Sequence, residues 1–133
     1  MGKRQTGRKL AMQILFQLEY DTNDNNFDLE NFFIESSVKE ESKLFAISLA
    51  SNAWKFKTKS DAYIKKYAID WDFSRLSSVD KALLRLGFYE IINTNTSPSV
   101  IINEVVELAK VFSSESSSSF INGILGSYLK DNV

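Results

Sequence analysis

At 133 residues the chain is the size of one ordinary domain, able to bury roughly two-thirds of its unfolded surface. Apolar residues make up 44% and charged residues 25%, with a net charge of −1, so neither disorder nor a strongly charged scaffold is expected. Cysteine and histidine are both absent, which excludes disulfides, thiolate or imidazole metal sites and the commonest general base. No apolar run reaches the ~20 residues of a membrane span, and no secretory leader is expected, so the reading is cytoplasmic.

The near-zero net charge hides an asymmetry. Lys3, Arg4, Arg8 and Lys9 open the chain with no acid through residue 18, whereas residues 19–41 are strongly acidic. A basic arm on a near-neutral domain suits nucleic acid, although short basic tips also serve as plain solvated surface. Gly2 to Lys9 fails as a phosphate-binding loop, because Arg8 and Lys9 stand where the lysine and the magnesium-binding hydroxyl belong.

Helical spacing dominates the chain. An all-α fold is predicted, with helices at about 5–20, 28–38, 40–57, 59–69, 77–93, 98–112 and 115–130. In the first helix Leu10, Ala11, Ile14, Leu15 and Leu18 cluster on one side. Met12, Phe16 and Tyr20 fall at i, i+4 and i+8, roughly opposite that cluster. This second stripe is either sandwiched in the core or turned to a partner. Arg8 and Lys9 border it, which favours a partly exposed interaction face.

Trp54 to Lys59 interleaves aromatics with lysines, but the lysines do not share one tight helical face, so a solvated helix end is the simpler account. Asp70 and Asp72 flank Trp71 in a turn and are expected to cap it rather than to do acid–base work. The helix from Ser77 is apolar on more than one side and should be central. Asp80, three residues after Ser77, fits a capping box in which its carboxylate accepts the Ser77 N–H. Pro98 suits a helix first turn, and the serine run 113–119 reads as a turn ending in an N-cap. No catalytic centre emerges, and no cofactor or metal site is expected.

Three segments in order carry a family likeness: Asp80-Lys81-Ala82-Leu83-Leu84-Arg85 with Tyr89-Glu90; Pro98 followed by Ile102-Asn103-Glu104 and Glu107-Leu108-Ala109-Lys110; and Phe120-Ile121-Asn122-Gly123-Ile124-Leu125. Together with the basic first helix ending Ala11…Leu15-Phe16, they resemble the transcription antitermination factor NusB family. The resemblance implies a helical bundle of about seven helices in two packed subdomains (about 1–70 and 71–133), without catalytic activity. It implies binding of boxA-type single-stranded RNA jointly with the ribosomal protein NusE, within an RNA polymerase elongation complex that holds other Nus factors. By position, Lys3, Arg4, Arg8, Lys9 and Phe120 are the RNA-facing residues it implies, and Phe16 and Asp80 the NusE-facing ones; the helix-one stripe adds Met12 and Tyr20. The arm is sparser than is usual in the family, so RNA binding is expected to be weak without the partner. A homodimer stays open, and so does an interaction module that binds no RNA.

Overall fold

The computed structural model describes residues 3–20 and 38–132. Six α-helices lie within them: α1 Lys3–Tyr20, α2 Glu40–Lys55, α3 Lys57–Tyr67, α4 Ser78–Asn93, α5 Pro98–Phe112 and α6 Glu115–Asn132. A short 3-10 turn, Phe73–Arg75, precedes α4, and no strand occurs among the described residues. The expected helix at 28–38 lies almost wholly outside them.

Local chemistry accounts for most helix ends. Ser77 caps α4, its Oγ accepting from the Asp80 N–H at 3.1 Å. Pro98 opens α5 in the position where its missing N–H costs nothing. In the serine run, Ser114 Oγ accepts from the Ser117 N–H at 3.0 Å at the start of α6. Asp72 caps the 3-10 turn, accepting from the Ser74 N–H at 3.0 Å and the Ser74 hydroxyl at 2.8 Å. The boundary between α2 and α3 falls at Phe56, whose ψ near zero breaks the regular α-helical geometry between them.

Helix α4 is the axis of the molecule. Nine of its sixteen residues are buried, including the unbroken run Ala82 to Phe88, so every face of it is covered. Helices α1, α2, α3, α5 and α6 all pack against it. Its apolar residues join Leu10, Met12, Ile14 and Leu15 of α1, Ala46, Leu49 and Ala50 of α2, Ile64 of α3, and Ile121, Ile124 and Leu125 of α6 in one core. An aromatic cluster closes the α3–α6 side, where Tyr63 stacks on Phe88 at 5.6 Å and Tyr128 meets both rings edge-on at 5.0 and 5.4 Å.

Helix α1 approaches α2 closely because Gly7 has no side chain. A β-carbon there would stand 2.2 Å from Phe45 Cδ2, well inside van der Waals contact. Gly126, exposed on α6, faces open space. Two helical glycines should therefore behave in opposite ways in chemical denaturation. Gly7→Val is expected to lose about 1–3 kcal/mol through overpacking. Gly126→Ala is expected to gain roughly 0.5–1 kcal/mol by removing backbone freedom from the unfolded chain. Equal effects at the two sites would contradict the close approach at Gly7.

Candidate nucleic-acid and partner interface

The basic start of α1 divides into inward and outward charges. Arg8 is only 2% exposed and grips Glu90 of α4 with two parallel bonds, Nε to Oε2 at 2.8 Å and Nη2 to Oε1 at 2.9 Å. Burial pushes the Arg8 pKa down, but the bond to Glu90 and the charges of Glu90 and Glu104 outweigh it and raise it. The guanidinium is thus permanently charged and already neutralised. Its expected place on an RNA-facing arm is corrected on those grounds: a cation sealed against a carboxylate cannot reach a phosphate. Arg4 is exposed, with its guanidinium 5.1 Å from the Phe45 ring centroid, and Lys9 is half-buried. Lys3 opens the helix.

The second stripe of α1 divides as well. Met12 is buried in the core, so it presents nothing to a partner and that expectation is corrected. Phe16 is half-buried and Tyr20 is 67% exposed, their rings 4.9 Å apart. Beside them Glu19 sits in a charged network that joins α1, α3 and α4. Arg85 Nη1 donates to Glu19 at 2.6 Å while its Nε and Nη2 hold both oxygens of Asp61 at 2.8 and 2.9 Å. Lys81 Nζ stands 3.7 Å from the other Glu19 oxygen. Burial pushes the Glu19 carboxyl up, yet the Arg85 bond and the charges of Arg85 and Lys81 hold it below its ordinary value of 4.5.

Asp80 is buried at the start of α4. Its carboxylate does not turn back to the Ser77 N–H as the capping-box spacing suggests; Oδ2 accepts from the Ser117 hydroxyl at 2.9 Å. Oδ1 is buried with no protein partner. One turn beyond Ser117, Phe120 is half-buried with its ring 5.0 Å from that of Trp71. The two rings line a groove of about 350 Å³ between the end of α3 and α6.

These positions form two groups. Arg8 meets Glu90 near one end of α4, and Asp80 meets Ser117 at the other, ten residues and so about 15 Å away. The cations beside Arg8 therefore sit at the far end of the axis from Phe120. The Tyr20 end of α1 lies with the Asp80 end instead, through Glu19 and Lys81. Arg85, Glu90 and Trp71 stand in segments that the sequence pattern marks, but the pattern assigns them no site role. The first two had a legible signal, since charges on a helix apolar all round require buried partners. Among the described residues no acidic cluster could hold a metal ion, and no helix is long and apolar enough to cross a membrane.

Two measurements test this wiring. Arg8→Ala strands Glu90 in the core and should cost about 3–5 kcal/mol in chemical denaturation, while a joint Arg8→Met, Glu90→Leu variant should recover most of that loss. An unchanged midpoint for Arg8→Ala would refute a structural role. For Glu19, a lowered folded pKa means stabilisation that is complete above pH 4.5 and lost as the pH falls through the lowered value. The stability gap between wild type and Glu19→Gln should accordingly be flat at neutral pH and shrink below 4.5. A gap that grows on acidification would reverse the assigned sign.

Comparison with known proteins places this arrangement. The NusB family model matches residues 5–130. The transcription antitermination protein NusB of Symbiobacterium thermophilum is 39% identical over 136 aligned positions, covering 96% of this chain and 89% of that protein. Among solved structures, NusB of T. maritima superposes with a TM-score of 0.81 at 30% identity, covering 98% of this chain and 92% of that one. A structure of antitermination factors NusB and NusE in complex with dsRNA shares the fold, with a TM-score of 0.85 at 24% identity and 98% of each chain covered. The pattern of motifs, the five described helices packed around α4 and a match from residue 5 to residue 130 agree, and the chain belongs to the NusB family.

Proposed function

We propose that the protein is a transcription antitermination factor that binds boxA-type single-stranded RNA together with NusE, and that it works by binding and not by catalysis. The observation that carries this reading is the family match over residues 5–130, which reaches into every described helix. The RNA polymerase elongation complex with other Nus factors, in the cytoplasm and chiefly on ribosomal RNA operons, is its proposed setting.

The geometry supports a division of labour. Arg4 and Lys9, with Lys3, are the arm residues proposed to attract phosphates, a salt-sensitive and sequence-independent term. Phe120 is proposed to meet bases, since specificity for single strands comes from stacking and edge contacts to splayed bases. Phe16, Tyr20 and Asp80 are proposed to face NusE. Arg8 and Met12 act from inside, holding the outward residues in register. The burial of Arg8 removes one cation from an already sparse arm, and it favours as second reading an interaction module that binds protein alone.

Fluorescence anisotropy with a boxA-like RNA and a scrambled control, at about 0.1 M salt and with or without NusE, separates the two readings. Selective binding that strengthens with NusE is expected, weakened several-fold by Arg4→Ala and Lys9→Ala together. Tyr20→Ala should weaken only the NusE-dependent part. No selective binding in either condition would leave the interaction module.

A further inference from the structure

A second run of positive charge lies away from the arm, on α3. Lys59, Lys65 and Lys66 are exposed, and none makes an ion pair among the described residues. The only acid on that helix, Asp61, is held bidentately by Arg85, so its charge is spent on the inner side. Each ammonium stands over a ring: Lys59 over Phe56 at 5.8 Å, Lys65 over Phe73 at 5.0 Å and Lys66 over Tyr67 at 5.4 Å. Ring contacts of this kind restrain long side chains before any ligand arrives, which lowers the entropic cost of using them. Lys59 and Lys66 lie two helical turns apart on nearly the same bearing, about 10 Å along the axis.

The stripe leads into the groove. Directly after α3 the chain runs through Ile69, 85% exposed, to Trp71, 60% exposed, and Trp71 leans on Phe120 of α6. Gly123 leaves the opposite wall open, since a β-carbon there would meet nothing within 4 Å. Ile69 and Trp71 thus place exposed apolar surface directly after a helix whose exposed lysines make no ion pair among the described residues. No lysine or arginine lines the groove, whereas Asp70 does. A carboxylate repels a phosphate but accepts from the amino edge of a nucleobase. Charge outside and a stacking platform with an acceptor inside are the two halves of a single-strand site.

We infer that the α3 lysines and the Trp71–Phe120 groove form one track for single-stranded RNA, with phosphates along Lys59 and Lys66 and one unstacked base against Trp71. The inference rests on the RNA-binding reading above and extends it to residues on a helix other than the one that carries the basic arm.

The test uses the full chain and the same boxA-like RNA, with NusE present, and titrates binding across salt. The wild type is compared with Lys59→Gln/Lys66→Gln and with Trp71→Leu, all at exposed positions where thermal melts should not move. Loss of two phosphate contacts should flatten the logarithmic salt slope by roughly 1.4. Loss of one stacked base should weaken binding about ten-fold without changing the slope. Wild-type binding with both variants unchanged in affinity and slope would overturn the track while leaving the proposed function intact. Absence of any selective binding by the wild type would overturn that function and this inference together.

Discussion

Covering α4 on every side obliges each charge it carries to find a partner inside the protein. Most of the architecture follows from meeting that demand. Glu90 is answered by Arg8, which draws the start of α1 down onto one end of the axis. Arg85 is answered by Glu19 and Asp61, which fixes the other end of α1 and the middle of α3. The apolar core supplies the bulk of the driving force without direction. The ion pairs supply direction, because a guanidinium and a carboxylate bond in parallel only in one relative pose. Their net contribution to stability is small against desolvation, but the loss of either partner is severe.

This constraint explains what could and could not be read from the chain alone. The helices, the centrality of α4, the Pro98 start and the Ser77 cap were legible because each depends on residues within a few positions of one another. Which of four arm cations turns inward was not legible: Arg8 meets a residue 82 positions away, and nothing near it in sequence separates it from Arg4. Met12 shows the same limit, since helical periodicity gives a bearing and not the depth of the neighbour on that side. Asp80 had the spacing of a capping box, yet a hydroxyl on α6 reached its carboxylate first. The groove at Trp71 joins segments about fifty residues apart, and only the fold brings them together.

The proposed functional positions follow the same geometry. One end of the axis carries the outward cations of α1, the other carries Tyr20, Asp80 and the Trp71–Phe120 pair. A single small domain that spreads weak sites over both ends gains affinity when two are engaged at once, as linked sites do in any multivalent ligand. That fits the binding role proposed above.

The bond between Asp80 and Ser117 has a wider reach than its length suggests. It lies in the first turn of α4 and the first turn of α6, so one carboxylate serves the positive ends of two helix dipoles at once. Oδ2 is committed to that bond, while Oδ1 has no protein partner. The first turns of α4 and α6 are thereby pinned to each other, so anything that rests on one of them meets both helices at a single corner.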